Sequence, residues 1–281
     1  MIDLQAYVGR QEFHRDFTDR QRIARLAALL DHLEILWAPD VLPPLAHWLC
    51  FLPDERQSLI GHDGHPLRSE SGFLPLVDLP RRMWAGSRIR FLREVPIDSP
   101  ITKTSTILAV EPKTGRSGNM LFVTVQHMIG EAGGSASIIE EQDIVYRESG
   151  APGAAVKRPT LDYDIPDPVI RHIICDPVMV FRYSALTFNA HRIHYDLPYA
   201  REDEGYRERV VQGPLIATLL LHHALSRAEG RRIETFQFRA VSPLFVGEEM
   251  RLGLRDDDRT IALRAVGPDG VAVTAEAGFA S

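Results

Sequence analysis

The densest group of chemically active side chains lies between Asn189 and Asp196. These eight positions also hold His191, Arg192 and His194. Histidine titrates closest to neutral pH, so two histidines beside a carboxylate and an amide could move protons to and from a substrate. The same composition suits a solvated turn with incidental histidines, and the residues alone leave both interpretations open.

A second candidate is the tripeptide Gln212-Gly213-Pro214, because proline is favoured at the first position of a helix. The free backbone N–H groups of a helix N-terminus favour negative charge, and glycine lets a ligand approach the backbone closely. Such a donor could hold a thioester oxygen while that oxygen gains charge. An ordinary helix start is the alternative interpretation.

Other kinds of site have little support in the sequence. The pairs His62/His65 and His222/His223 lack the third ligand that a metal site needs. No glycine-rich dinucleotide motif, P-loop or nucleophile-elbow serine is present. Two cysteines in 281 residues form neither a disulfide framework nor a zinc ribbon.

Charge and hydropathy exclude two classes of partner. A net charge of −6 argues against nucleic acid, whose binding needs clustered positive charge. The longest apolar stretch, Leu215–Leu221, is far shorter than the ~18 residues that a membrane span requires. Residues 1–5 lack the basic start and apolar run of a secretion signal. We therefore expect a cytoplasmic protein with no membrane or nucleic-acid partner.

The helices and strands predicted around these side chains indicate an α+β fold. A helix is expected over 19–37, where apolar residues recur at helical spacing and Thr18 and Gln21 have capping-box spacing. Residues 39–87 are rich in proline, glycine and histidine, and an irregular segment of this length is usually functional. Alternating and β-branched residues then predict antiparallel strands at 89–91, 102–110, 121–125 and 138–146.

The second half has the same strand-rich pattern and one strong helix. Val178–Phe181 predicts an apolar strand. A helix is expected from Gly213 to a stop at Gly230, and it is largely buried because apolar residues cover much of its circumference. Further strands are predicted at 233–240, 249–255, 260–266 and 271–279.

A weak repeat relates the two halves. At one offset of 147 positions, Ile89, Phe91 and Pro96 correspond to Phe236, Phe238 and Pro243. The proline-rich segment 149–168 has the composition of a linker. We therefore expect two copies of one unit, 1–148 and 169–281, that share a continuous sheet. The first copy has no long apolar helix between 40 and 88, which would leave room for a long ligand.

Three segments together resemble the hydratase-2 motif of the MaoC-like hot-dog proteins: Phe188–Asp196, Tyr199-Ala200 and Gln212–Leu215. That motif has an acidic residue, a histidine five positions later, a downstream Tyr-Ala and a glycine that opens the central helix. The residues of this motif are most similar to those of the double hot-dog subfamily that includes hydroxyacyl-thioester dehydratases, itaconyl-CoA hydratases and mesaconyl-C4-CoA hydratases. The segment Pro80–Gly86 also resembles that subfamily. The resemblance covers roughly residues 40–281. It implies a double hot-dog fold, antiparallel sheets wrapping a central helix, whose first repeat lacks a full hot-dog helix.

The resemblance also implies a reaction, in which water adds across the double bond of an enoyl-CoA or leaves in the reverse direction. The Gly213 amide would hold the thioester oxygen and His194 would move a proton. Position 189 is aspartate in the wider family, but Asn189 cannot take a proton. We therefore expect Asn189 to hold the water, with His191 or Asp196 as possible assistants.

The acyl group implied by the resemblance is a short branched C5 dicarboxylic one, that of itaconyl-CoA or mesaconyl-C4-CoA, which is hydrated to citramalyl-CoA. Arginine offers a bidentate fork for a carboxylate, and the candidates are Arg82, Arg88 and Arg192. Trp84 is expected to pack on the acyl chain.

Three residues within the motif segments complete the predicted substrate-binding set: His191, Tyr195 and Gln212. The CoA phosphates would need basic residues, for which the candidates are Arg207, Arg209 and Arg231. No metal and no cofactor are expected apart from the coenzyme A of the substrate. By family analogy the protein is expected to be a homodimer or a larger homo-oligomer.

Other functions remain open at the level of the sequence. The nearest is an (R)-3-hydroxyacyl thioester dehydratase for longer chains, and a hot-dog thioesterase is more distant. A non-catalytic acyl-CoA-binding subunit, in which Asn189 replaced a lost aspartate, belongs to a different class. Turnover of defined CoA esters separates these possibilities.

Overall fold

The computed structural model describes residues 3–31, 37–115, 118–148, 169–228 and 230–280. Ten strands are its main elements: β1 Gln11–Phe17, β2 Arg81–Phe91, β3 Pro100–Gly115, β4 Gly118–Glu131, β5 Ile138–Arg147, β6 Val169–Ile174, β7 Ile233–Ala240, β8 Glu249–Asp256, β9 Thr260–Gly267 and β10 Gly270–Phe279. They form one antiparallel sheet in the order β1-β3-β4-β5-β2-β7-β10-β9-β8-β6.

The two halves of the sheet are related by strand number, since adding five to each strand of the first half gives its counterpart in the second. The halves meet where β2 pairs with β7, and Ile89 lies directly opposite Phe236 there. Both residues are buried, and they are the pair related by the 147-residue offset. The continuous sheet is therefore present. The predicted linker 149–168 lies outside the described residues, and the division into two repeats remains a prediction.

In the described part of the chain, four α-helices accompany the sheet: α1 Arg20–Leu29, α2 Pro177–Thr187, α3 Leu197–Glu202 and α4 Gly213–Leu225. Ten of the 13 residues of the helix α4 are buried, and the helix packs against β8, β9 and β10. Its burial removes a large apolar area from water, which makes it the centre of the second half. Within residues 37–80, by contrast, the described structure contains only short 3-10 helices, at Ala46–Leu49 and Gln57–Leu59. The first half of the sheet therefore lacks a long covering helix.

The N-terminal helix is shorter than its periodicity predicts. It is capped by the Asp19 side chain, which accepts a hydrogen bond from the Gln21 amide, and Thr18 instead bonds to the Ser99 backbone. The helix ends at Leu29 and Asp31 has a left-handed φ of 54°. Residues 32–36 of the predicted helix lie outside the described part of the chain.

The predicted strand Val178–Phe181 is wrong, because these residues belong to α2. The local reason lies just before them: Asp176 caps the Met179 amide at 2.7 Å, and Pro177 occupies the first turn. The outer strands β1 and β6 were not predicted. They lie at the two edges of the sheet, and β1 has a polar, mostly exposed pattern that gives little apolar alternation.

Among the described residues, no helix is long and apolar enough to cross a membrane.

Candidate active site

A cavity of about 1090 Å³ lies between the sheet, the irregular segment of the first half and the chain that links α2 to α4. It is lined by eight of the ten residues that the sequence nominated: Arg82, Trp84, Asn189, His191, Arg192, His194, Tyr195 and Gly213. Arg88 and Gln212 are not among its lining residues. The tertiary structure thus gathers most of the predicted site at one place.

The polar motif begins where α2 ends. Phe188 has a left-handed φ of 48°, which turns the chain out of the helix. The Asn189 Oδ1 then accepts a hydrogen bond from the His191 amide at 3.0 Å. A short 3-10 turn, Arg192–His194, follows, and Asp196 caps α3. These local bonds hold the motif in one compact turn against the cavity.

His194 is the predicted proton-transfer residue, and it is buried. Its Nδ1–H donates to the Val210 carbonyl oxygen at 2.7 Å, so Nε2 is the unprotonated nitrogen of the neutral ring. Burial lowers the pKa of His194 to about 4. The ring is therefore neutral near pH 7 and can act as a base through Nε2. Because Val210 lies three residues before Gly213, the same bond ties this base to the start of α4.

Gly213 is the first residue of α4, and no side chain caps this helix. The space where a Cβ would stand is open, with no heavy atom within 4 Å. Protein packing therefore does not require glycine here. An open position beside the unpaired amides of a helix N-terminus suits an oxygen that gains negative charge.

Gln212 has a structural position. It is fully buried, and its Nε2 donates to the Val180 carbonyl oxygen at 2.9 Å and to the Ser184 Oγ at 2.8 Å. These bonds fix the start of α4 against α2. The prediction that Gln212 binds substrate therefore has no support in its placement.

The segment His62–Pro66 reaches the site from the first half of the chain, and the sequence analysis had assigned it no role. A Cβ on Gly64 would stand 2.6 Å from the Ala190 carbonyl carbon, closer than any side chain permits. The Asp63 carbonyl oxygen accepts a hydrogen bond from the Arg192 amide at 2.9 Å. Backbone therefore packs directly on backbone, and His65 enters the cavity beside the motif.

Three imidazole rings follow one another in the cavity. The ring centroids of His65 and His191 are 4.2 Å apart, and those of His191 and His194 are 5.3 Å apart. Burial, and then the neighbouring His65 and His194, lower the pKa of His191 to about 2. His191 is therefore neutral under ordinary conditions. His65 is the member that sequence reasoning missed, because nothing local connects residue 65 with residue 191.

Known proteins share this sequence and architecture. The sequence pattern of the hydroxyacyl-thioester dehydratase type 2 family matches residues 45–246. The chain belongs to this family. A mesaconyl-C(4)-CoA hydratase from Chloroflexus aurantiacus is 45% identical over 272 residues, which are 95% of this chain and 94% of that protein.

Solved structures show the fold of this family member. A MaoC-like dehydratase from Phytophthora capsici superposes with a TM-score of 0.70 at 13% identity, covering 100% of this chain and 99% of the other. A Mycobacterium tuberculosis protein described as having a double hotdog fold superposes with a TM-score of 0.59 at 12% identity, covering 97% and 96%. The predicted double hot-dog fold is confirmed.

The three arginines predicted to bind the substrate carboxylate lie in different environments. For Arg82 and Arg88, a β-bulge between Trp84 and Gly86 determines which face of the sheet each side chain occupies. Before the bulge, Arg82 and Trp84 face the cavity. The extra residue shifts the alternation by one, so Arg88 lies on the opposite face of the sheet. There it pairs with Asp143 at 2.6 Å and Glu141 at 3.2 Å. This placement gives no support to the prediction that Arg88 binds substrate.

Arg192 lines the cavity, but its charge is already matched. It pairs with Asp196 at 2.6 Å, donates to the His62 carbonyl oxygen at 3.1 Å and stacks over the Tyr199 ring. It therefore clamps the motif to the His62–Pro66 segment. Tyr195 lines the cavity with half of its surface exposed, which places it towards the solvent.

The predicted phosphate-binding arginines are all paired with acidic side chains and do not line the cavity. Arg207 pairs with Glu248 and Asp269. The other two pair locally, Arg209 with Glu208 and Arg231 with Asp256. The structure brings none of the three to the site.

A second polar group lines the cavity, and sequence reasoning did not identify it. Glu140 is buried and binds the His47 Nε2 at 3.0 Å, the Ser87 Oγ at 2.8 Å and the Trp48 indole. Burial would raise the pKa of Glu140, but His47 and the other partners outweigh it and lower the pKa to about 2. The sequence signal that could have identified Glu140 is a charged residue at an inward-facing position of the predicted strand, between Ile138 and Gln142.

Within the described ranges, no group of three or more histidine, cysteine, aspartate or glutamate side chains is arranged to hold a metal ion.

Proposed function

We propose that the protein hydrates mesaconyl-C4-CoA to citramalyl-CoA. The protein is a hydro-lyase that acts on CoA thioesters, as its family membership and its 45% identical relative show. The name of that relative, a mesaconyl-C(4)-CoA hydratase, supports the choice of acyl group.

The placement of Arg82 is the observation that supports this choice of acyl group. It lies in the cavity with His194, and no carboxylate within the described part of the chain pairs with it. Its positive charge lowers the pKa values of both His65 and His191, after the larger effect of burial. An arginine that is close to the histidines and not neutralised by the protein is suited to a carboxylate of the substrate.

The chemistry of the substrate places its carboxylate close to the reacting carbon. In mesaconyl-C4-CoA the free carboxylate and the methyl group are both bonded to the β-carbon, the carbon that takes up the hydroxyl group. A cation that binds this carboxylate must therefore stand beside the proton-transferring histidines. Arg82 meets this requirement, while Arg88 and Arg192 do not.

The predicted catalytic residues then have defined tasks. The Gly213 amide holds the thioester oxygen, and the helix N-terminus stabilises the enolate charge that develops there. Asn189 offers its side-chain amide to the water molecule. The His194 Nε2 takes a proton from that water while the oxygen bonds to the β-carbon.

The runner-up is an (R)-3-hydroxyacyl thioester dehydratase for longer chains, which the family description favours. One lining residue disfavours it, because Lys103 contributes a charged ammonium group to the cavity. An extended hydrocarbon chain would cover this group without giving it a hydrogen bond, at a cost of roughly 1–3 kcal/mol.

The test uses the purified protein with mesaconyl-C4-CoA, itaconyl-CoA and crotonyl-CoA. The expected result is citramalyl-CoA from mesaconyl-C4-CoA, identified by mass spectrometry, at a kcat/KM at least tenfold above that for crotonyl-CoA. Turnover of crotonyl-CoA alone would contradict a dicarboxylic substrate. His194→Ala is expected to remove turnover while circular dichroism stays unchanged. Absence of turnover in the unaltered protein, together with tight CoA binding, would instead indicate a binding subunit.

Three further properties belong to this proposal. The enzyme needs no cofactor beyond the CoA of its substrate, and it acts in the cytoplasm. It forms a homodimer or a larger homo-oligomer, in which each chain has two hot-dog repeats. Light scattering coupled to size exclusion tests the oligomer, and full activity after exhaustive dialysis against a chelator tests the absence of a metal.

A further inference from the structure

We propose that His65, held by Asp63, is a second catalytic residue, which donates the proton that the α-carbon of the substrate takes up. The assignment rests on the proposed hydration. It gives a task to the His62–Pro66 segment, which the sequence motif does not include.

The orientation of His65 is set by its neighbour. The Asp63 Oδ2 lies 2.9 Å from the His65 Nδ1, and the Asp63 Oδ1 accepts a hydrogen bond from the His65 amide at 3.0 Å. Burial raises the pKa of Asp63, but its contacts with His65 outweigh this effect and lower the pKa to about 2. The carboxylate is therefore ionised and accepts from Nδ1–H, which leaves Nε2 for the cavity.

The backbone holds this pair at the site. Gly64 lies against Ala190 so closely that the two segments have no side chain between them, and the Asp63 carbonyl oxygen is bonded to the Arg192 amide. Asp63 and His65 flank this contact. The His65 ring is therefore held by a carboxylate on Nδ1 and by the backbone contacts of the two preceding residues.

The composition of the motif leaves a task open for this histidine. Hydration needs two proton transfers, one from the attacking water and one to the α-carbon. Asn189 can hold water but cannot exchange a proton. His194 is a neutral base and can accept only one proton in each cycle. In a mechanism that divides the two transfers between two groups, a second group delivers the proton to the α-carbon, and His65 is the imidazole in this cavity that a carboxylate supports.

The two proton transfers leave the number of protons at the site unchanged. The His194 Nε2 removes a proton from water as the water oxygen bonds to the β-carbon, and the π electrons move to the α-carbon and the thioester oxygen held by Gly213. The protonated His65 then gives its Nε2 proton to the α-carbon, which completes the C–H bond. The cycle ends with a proton on His194 and none on His65. The ring of His191 neighbours both of these rings. Transfer of the proton from His194 back to His65 restores the starting state, and no other reagent is consumed.

The charges around His65 decide when it holds a proton. In the free site, burial and the positive charges of Arg82 and Arg68 lower the pKa of His65, while Asp63 raises it; His191, the other facing group, stays neutral. A substrate carboxylate bound to Arg82 offsets that positive charge. Binding of a dicarboxylic acyl-CoA is therefore expected to raise the pKa of His65 and to bring a proton into the site.

The main test compares a histidine in the cavity with one outside it. His65→Gln keeps a polar side chain but removes the proton, and kcat for mesaconyl-C4-CoA is expected to fall about 100- to 1000-fold. His172→Gln is the matched control, because His172 is exposed on β6 and does not line the cavity. Its kcat is expected to stay within twofold. A near-normal kcat in His65→Gln, with the unaltered enzyme active, would overturn the assignment but leave the proposed hydration intact.

A second measurement separates proton donation from a structural role. Asp63→Asn keeps an oxygen acceptor beside Nδ1 but no longer stabilises the imidazolium. The alkaline limb of the kcat–pH profile is then expected to move to lower pH, because a donor with a lower pKa loses its proton earlier. An unchanged alkaline limb would rule out His65 as the donor. If the unaltered enzyme turns over no enoyl-CoA at all, the proposed function fails before this question arises.

Discussion

The Ala190 carbonyl group occupies the space that a side chain on Gly64 would need. The ideal Cβ position on Gly64 lies 2.6 Å from the Ala190 carbonyl carbon and 3.2 Å from the His191 Cα. The two residues are 126 positions apart in the sequence. Their contact joins an irregular segment of the first half to the catalytic motif of the second, and it brings His65 beside His191.

Gly64→Ala is expected to reduce kcat/KM for the CoA ester more than tenfold, because the methyl group must push the two segments apart. Gly64 also has a φ of 89°, so an alanine there adds backbone strain of about 1–2 kcal/mol. Gly133→Ala is a matched control: its φ is 81°, but no heavy atom lies within 4 Å of the Cβ position. The control should lose similar stability in thermal unfolding and keep its activity. Equal activity losses in both variants would show that strain, and not the contact, matters.

Arg82→Gln is expected to change specificity more than general activity. Removal of a charged hydrogen-bond donor typically costs 1.5–3 kcal/mol, so kcat/KM for mesaconyl-C4-CoA should fall roughly 10- to 150-fold. The value for crotonyl-CoA, which has no carboxylate on its β-carbon, should change much less. Arg88→Gln provides the comparison, because the bulge in β2 turns Arg88 to the opposite face of the sheet. Equal losses for both substrates in Arg82→Gln would argue against a carboxylate contact.

Asn189→Asp is expected to leave the rate at neutral pH within about twofold. The aspartate can still accept the His191 amide bond that Asn189 accepts at 3.0 Å. Its negative charge should raise the pKa of His194, so the acid limb of the kcat–pH profile is expected to move to higher pH. Steady-state rates between pH 4 and 9 measure both effects. A tenfold gain in rate at pH 7 would show that this position lacks a base and that His65 does not supply the missing transfer.

Acid is expected to destabilise the protein before its carboxylates are protonated. Burial lowers the pKa values of His191 and His194 to about 2 and about 4, below the ~6.5 of an unfolded histidine. The unfolded chain therefore binds more protons than the folded chain, and stability is lost as the pH falls from about 6.5 towards 4. Urea unfolding at pH 8.0, 6.5 and 5.0 measures the loss. It should be smaller in His191→Asn, while the exposed His14→Asn should leave it unchanged.

Sequence patterns located elements wherever local chemistry repeats. The strand around Ile89 and the helix from Gly213 have the periodicity of their observed structures, and Pro214 marks the helix start. The errors arose where a neighbouring residue overrode the pattern. Asp176 and Pro177 turn the apolar run after them into the helix α2. The edge strand β1 is polar and was missed, since an edge position does not require an apolar face.

The sequence by itself determined the family, the reaction type and the local motif, because Asn189, His194 and Gly213 lie within 25 positions and their spacing is set by one turn and one helix start. Only the tertiary structure decided which distant residues join them. A single bulge in β2 separates Arg82 from Arg88, and a backbone contact at Gly64 delivers His65 and Asp63 to the motif. Pairing between segments more than 100 residues apart depends on strand register and close packing, and neither leaves a periodic signal in the chain.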